Sequence, residues 1–303
     1  SAVEHAVNAS VWTFVLLHML LLRSSFETLN CEQSCNDNGW AGHLATDPEV
    51  GCLVLTGAGR GFCSGGDLKN GSFKPAPANR QTGSRVEQSV TRLRGFMEAS
   101  RLLHEMPKPT IAMINGPVAG AGIGLAGACD LRFAAESATF LSAFNRIGAS
   151  GDFGSTWFWT KILGSGAARE IFLLGEKYDA RTALAKGIYT RVFADESLRS
   201  ETLAVASRIA QGPRMGYRYM KSNLNLAEDA QFETALDQEA MNMSLSTMAA
   251  VQIFKQSQSD EKGGSQRFYN DVATVDLAAC LHALTKGEAA AAGHDETKGA
   301  TAA

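Results

Sequence analysis

The chain lacks any strong charge excess: 28 basic residues stand against 31 acidic ones, a formal net charge of −3. Such a balance gives no general attraction to nucleic acid or to an anionic membrane surface, and neither is expected as a partner. The apolar stretch Val11 to Leu22 is interrupted by Thr13 and His18. It is too short for a bilayer, which takes about 20 residues, and reads as a buried strand or helix. The residues before it include Glu4 and His5 where a secretory leader would carry basic side chains. The six cysteines, at 31, 35, 52, 63, 129 and 280, lack a second pair at zinc spacing and a histidine ladder, so no metal is expected. Cys52 and Cys129 lie in or beside apolar runs and read as core thiols. That usage fits a reducing compartment, and a cytoplasmic location is expected. No internal repeat is present.

What is present is a chain of 303 residues with 45% hydrophobic content, enough to bury a core in one large domain or two small ones. Residues 1–46 have no clear hydrophobic period. From 47 to 258 strands and helices alternate, and after 258 the chain turns polar and then alanine-rich. Cys52 to Thr56 reads as a buried strand closed by Gly57. Residues 71–84 are rich in Gly, Pro, Ser and Asn and read as a loop. Val86, Val90, Leu93, Met97 and Met106 keep helical spacing until Pro107 and Pro109. Strands follow at Thr110–Ile114, Leu131–Ala134, Thr139–Phe140 and Ile188–Phe193. Helices are expected from about Gly120, at about 154–163, 166–174 and 180–186, and predominantly from there to about 256. Strands alternating with helices, then helices alone, predict a helix-covered sheet of α/β class.

Two glycine clusters punctuate this pattern. Gly65-Gly66 follows the first clean strand and Gly120-Ala121-Gly122 follows the strand at 110–114. Small residues let a ligand approach the main chain, and an amide at a helix N-terminus adds partial positive charge. Two such amides on one oxygen make an oxyanion hole. From spacing alone, ordinary turn glycines are the commoner reading.

The blocks Leu53-Val54-Leu55-Thr56-Gly57, Phe62-Cys63-Ser64-Gly65-Gly66-Asp67-Leu68 and Lys108 through Gly116 resemble the crotonase superfamily, the enoyl-CoA hydratases and isomerases. The likeness continues through Gly120-Ala121-Gly122, Cys129-Asp130, Ser137-Ala138-Thr139-Phe140 and Leu174-Gly175. It implies an α/β spiral of ββα turns at 47–195 holding the active site, behind a divergent segment at 1–46. It also implies a helical trimerisation region at 196–258, and residues 259–303 are expected to be a disordered tail. The implied substrate is an acyl-CoA thioester, with coenzyme A part of the substrate and no separate cofactor. The implied assembly is a homotrimer or a dimer of trimers. By position, the oxyanion amides fall on Gly66 and Ala121, and Ser64, Gly66, Asp67, Leu68 and Lys69 lie along the thioester and its arm. Asp67 also reads as a structural cap and Lys69 as a solvated lysine. The resemblance fades at both ends of the chain.

Family members differ in the side chains above the polarised thioester. The two glutamates that hold water in the hydratases align with Gly124 and Phe144, neither of which accepts a proton. The aspartate found in the enoyl-CoA and epoxyphenylacetyl-CoA isomerases aligns with Asp152. A site walled by Phe140, Phe144, Phe153 and Trp157 would raise its pKa toward a useful value. Phe144 and Trp157 are the expected side-chain contacts to substrate. Read locally, Asp152 is the N-cap of a helix starting near Gly154, and the aromatics are core. The resemblance thus implies an acyl-CoA isomerase. A CoA-thioester hydrolase or ring-cleaving enzyme, and a catalytically inactive homologue, are the alternatives.

Overall fold

The computed structural model describes residues 17–22, 26–29, 44–57, 59–66 and 84–259; at 17–22, 26–29 and 251–259 it describes the backbone alone. Asp67, Leu68 and Lys69, the 71–83 loop, Cys31, Cys35, Cys280 and the expected tail from 260 onward lie outside those residues.

The chain divides into two compact units, Ser1–Ser246 and Thr247–Ala303. In the first, a six-stranded sheet is built from β1 (Leu17–Leu22), β2 (Phe26–Leu29), β3 (Leu53–Gly57), β4 (Thr110–Ile114), β6 (Leu131–Ala135) and β9 (Arg191–Phe193). Their order is β2-β1-β3-β4-β6-β9. β3, β4, β6 and β9 run parallel, with Leu53 opposite Thr110, Ile111 opposite Leu131 and Phe133 opposite Arg191. Strands buried on both faces read as continuous apolar runs, and Leu53–Leu55 and Ile111–Ile114 are such runs. β1 and β2 pair antiparallel, and β1 pairs antiparallel with β3. The stretch without a hydrophobic period therefore contributes two strands to the main sheet.

A second, three-stranded sheet holds β5 (Val118–Ala119), β7 (Thr139–Leu141) and β8 (Tyr178–Asp179). Cys63 extends it by an isolated parallel bridge to Val118. The repeat unit is now visible. Three strands of the large sheet each lead to a short strand or bridge of the small one and then to a helix. β3 leads through Cys63 to α1 (Arg85–Glu105), β4 through β5 to α2 (Ala121–Ala128), and β6 through β7 to α3 (Ser155–Leu163) and α4 (Ser165–Leu174). The expected ββα spiral is the observed fold. α5 (Ala180–Ala185), α6 (Leu198–Ala210), α7 (Arg214–Ala227) and α8 (Phe232–Ser259) follow. No helix among the described residues is long and apolar enough to cross a membrane.

Three local devices fix this frame. Ser84 and Glu87 form a reciprocal capping box at the start of α1, with Ser84 Oγ accepting from the Glu87 amide at 3.2 Å. Asp130 Oδ2 accepts from the Thr110 amide at 2.7 Å, from Thr110 Oγ1 at 2.9 Å and from Lys221 Nζ at 2.9 Å. Lys221 also donates to the Leu103 and Lys108 carbonyls, so a buried ammonium ties α7 to the ends of α1 and β4. Asn115 Oδ1 accepts from the Gly57 amide at 3.1 Å while its Nδ2 donates to the Gly59 carbonyl at 3.0 Å. That side chain anchors the loop between β3 and the first glycine turn. Cys52 and Cys129 are buried free thiols, as their apolar surroundings imply.

Candidate active site

The two glycine turns touch. The Phe62 amide donates to the Pro117 carbonyl at 3.1 Å and the Ala119 amide to the Cys63 carbonyl at 2.8 Å, so the segments run side by side into their turns. Gly65 has φ +89° and Gly120 has φ 55° with ψ −127°, conformations costly for any residue with a β-carbon. A β-carbon at Gly65 would lie 3.4 Å from Gly120 Cα and 3.5 Å from the Ala121 nitrogen. Two main chains meet here with no side chain between them. Ala121 is the first residue of α2, so its amide has no intrahelical acceptor and sits at the positive end of the helix. Ser64 and Gly66 are exposed beside it.

Helix α2 joins this meeting point to Asp152. It is buried along its whole length, and its glycines admit other segments to its surface. A β-carbon at Gly124 would stand 2.6 Å from the Phe153 carbonyl oxygen and 2.7 Å from Phe153 Cβ. The turn carrying Asp152 therefore rests on α2 three residues beyond Ala121, about 4.5 Å along the axis. No longer side chain fits at Gly124 with the backbone in place. Phe144, the other hydratase-aligned position, is buried and stacked on Phe172 with ring centroids 6.0 Å apart.

Asp152 sits in a strained turn. Gly151 has φ 111°, Phe153 has φ 49° and Gly154 has φ 72°. A bulky residue such as Phe153 in the left-handed region is an outlier that surrounding structure must hold, and such residues cluster at functional sites. Asp152 does not cap α3. The N-cap is Gly154, which has no side chain to offer, and Asp152 Oδ1 is buried without a hydrogen-bond partner among the described residues. Burial pushes the Asp152 carboxyl up from 3.8 to about 6. The local reading of Asp152 as a cap is thereby set aside.

Phe140 does not belong to the expected aromatic wall. Phe140 is fully buried in the core, edge-on to Trp159 at 5.0 Å. The ring contacts of Trp157 are to His104 at 5.3 Å and Phe158 at 5.2 Å, with Lys161 Nζ 5.5 Å from its centroid. It is 36% exposed, on the side of α3 that faces α1. Phe172 stands at the Asp152 turn instead, its Cε1 3.7 Å from where a Gly151 β-carbon would lie. The sequence reading missed Phe172 because it sits on α4, 20 residues along, with no local signal. It also passed over Cys63. That thiol is buried, its proton held more tightly by burial, with the Asp152 charge adding to the effect. Its place directly before Ser64-Gly65-Gly66 was the available signal.

The sequence and the fold are similar to those of known proteins. The family model for enoyl-CoA hydratase/isomerase matches residues 42–268. The 1,2-epoxyphenylacetyl-CoA isomerase of Escherichia coli is 37% identical over 193 residues, 64% of this chain and 71% of that protein. The 4-chlorobenzoyl coenzyme A dehalogenase-1 of an Arthrobacter species is 32% identical over 202 residues, 66% of this chain and 70% of that protein. The crystal structure of a probable enoyl-CoA hydratase/isomerase from Mycobacterium abscessus superposes with a TM-score of 0.61 at 31% identity, covering 69% of this chain and 77% of that one. On its fold, its paired glycine turns and these matches, the chain belongs to the enoyl-CoA hydratase/isomerase family.

Proposed function

We propose that this protein is an acyl-CoA isomerase in which Asp152 carries a proton between carbons of an unsaturated acyl chain. The thioester oxygen accepts from the Gly66 and Ala121 amides. Asp152 removes a proton from the carbon between the thioester and the double bond. The electron pair moves onto the thioester oxygen as an enolate, where the two amides meet the charge. The same carboxyl returns the proton to the far carbon, the double bond shifts by one position, and no atom is gained or lost. Removing one donor from such a hole costs about 2.7–4 kcal/mol of transition-state stabilisation.

The observation that carries this reading is the Asp152 carboxyl, half-buried, unpaired at Oδ1 and raised to about 6. A proton carrier works best with a pKa near the working pH. The packing of Gly124 on Phe153 and of Phe144 on Phe172 argues against water addition by two glutamates. The resemblance further assigns Ser64, Asp67, Leu68 and Lys69 to the thioester arm, with Phe144 and Trp157 at the acyl end. No separate cofactor enters this chemistry.

Assembly as a homotrimer or a dimer of trimers is part of the proposal. It is supported by apolar side chains left open on the C-terminal helices, such as Leu224 at 69%, Phe232 at 73% and Met243 at 68% exposure. Buried free thiols fit a reducing compartment, and we place the enzyme in the cytoplasm.

The test is a panel of saturated and unsaturated acyl-CoAs read by mass spectrometry, with Asp152→Asn as control. Positional isomers from the unsaturated esters, lost in the variant, are expected. Free coenzyme A from saturated esters would instead identify a hydrolase. Turnover by Asp152→Asn within tenfold of the parent would refute the assignment.

A further inference from the structure

Two polar atoms at the Asp152 turn have no hydrogen-bond partner among the described residues. One is Asp152 Oδ1; the other is the hydroxyl oxygen of Ser155, whose side chain is fully buried. They belong to one turn, closed by the Ser155 amide donating to the Asp152 carbonyl at 2.9 Å. Ser155 Oγ lies 3.4 Å from where a Gly151 β-carbon would stand, so it is turned toward the residue preceding Asp152 and away from the helix. A buried hydroxyl left unsatisfied is destabilising, and an unsatisfied carboxylate oxygen more so. Neither bonds the other, and two such atoms three residues apart in one turn are a donor and an acceptor for one shared water.

We propose that Ser155 is a positioning residue for Asp152, its hydroxyl donating to Oδ1 through one buried water when the carboxyl is ionised. Asp152 then carries its proton on the other oxygen, the one left to face substrate. Ser155 also sets how readily that proton leaves, because a donor to the charged form favours it. Few other groups can do this. Helix α2, which packs against the turn, has the sequence Ala-Gly-Ile-Gly-Leu-Ala-Gly-Ala and carries no titratable side chain. From α4 the turn is met by Phe172. The Asp152 charge also acts on the Cys63 thiol of the first glycine turn, which burial keeps protonated. The inference rests on the proposed role of Asp152.

The test is Ser155→Ala, read first without substrate. Carboxyl-carbon NMR of isotope-labelled protein, with Asp152→Asn identifying the signal, follows Asp152 through its titration. The proposal expects the Asp152 pKa to rise by about one unit in Ser155→Ala. With a β,γ-unsaturated acyl-CoA, kcat should fall several-fold with KM unchanged, and the pH profile should move with the NMR value. A purely structural serine would leave the pKa within about 0.2 units of the parent, and that result overturns the proposal. Ser155→Gly supplies the same measurement should the alanine variant not fold. If Asp152→Asn keeps its turnover while Ser155→Ala moves the pKa, the isomerase reading fails and the pairing stands. If Asp152→Asn is dead and the pKa does not move, the pairing alone fails.

Discussion

Replacing Asp152 by asparagine should make the protein more stable near neutral pH while removing its proposed activity. Burial raises this carboxyl from 3.8 to about 6, so the folded state resists its ionisation. Below pH about 3.8 the group is protonated in both the folded and unfolded chains and contributes nothing. Between about 3.8 and 6 the unfolded chain releases its proton first, so stability falls as pH rises. Above about 6 the full penalty is in place. A shift of about two units at about 1.36 kcal/mol each gives an upper bound of about 3 kcal/mol. The side chain is only half-buried, and solvent screening brings the expected penalty to roughly 1–1.5 kcal/mol. Asparagine is near in shape and never ionises. Asp152→Asn should therefore raise Tm by about 3 °C at pH 8, and by almost nothing at pH 4. Thermal denaturation of both proteins across that range is the assay. A difference in Tm that does not grow between pH 4 and pH 7 would show that Asp152 is not held against ionisation, and the case for it as a proton carrier would lose its main physical support.

Other consequences follow from the packing. Gly120→Ala puts a β-carbon 3.3 Å from Gly65 Cα on a backbone with φ 55°; displacement of the Ala121 amide should lower kcat by about two orders of magnitude, measurable with any ester the protein turns over. Gly124→Glu should not create a hydratase: the new side chain meets Phe153 within 2.7 Å, overpacking of this kind costs about 1–3 kcal/mol, and both Tm and hydration product report the outcome. Lys221→Met leaves Asp130 Oδ2 without its ammonium partner; breaking a buried pair costs about 3–5 kcal/mol, and the exposed edge of Asp130 puts the expected loss near the lower value in urea denaturation.

The fold was largely legible because its parallel core strands are short apolar runs between turn residues. Thr110–Ile114 was read with the same limits it has in the sheet, and α1 begins and ends within a residue of its expected bounds. β1 falls inside the apolar stretch that read as a buried strand or helix, but β2 was not legible, because this edge strand is specified by its pairing with β1 rather than by a period of its own. Gly66, Ala121 and Asp152 were identified by resemblance, and local logic favoured dull roles for all three. What separates a cap from an unpaired carboxylate is whether the side chain meets the helix amides. That depends on Gly151, Phe153 and Gly154 all taking positive φ, and a left-handed phenylalanine is contrary to propensity. Of the aromatic residues read as a wall around Asp152, Trp157 makes its ring contacts with His104 and Phe158, while Phe172, unread, stands at the turn from α4.

Helix α2 explains why one chain would not combine both chemistries. Gly122 accepts the Cys63 main chain, Gly124 accepts Phe153 and Gly127 accepts Phe158, each at a separation where a β-carbon would collide. The first contact brings the two glycine turns together and the second seats the Asp152 turn. A glutamate at 124 would need the volume that Phe153 occupies, so a carboxylate on α2 and this seat for Asp152 exclude each other. In the proposed mechanism, the choice between two acids that hold a water and one acid that moves a proton is thus made by backbone packing, before any substrate binds. On that proposal, moving the activity toward hydration would require rebuilding the 151–154 turn along with position 124. Substituting glutamates at 124 and 144 alone should yield a destabilised protein without hydratase turnover, and appreciable hydration by that double variant would refute this account of α2.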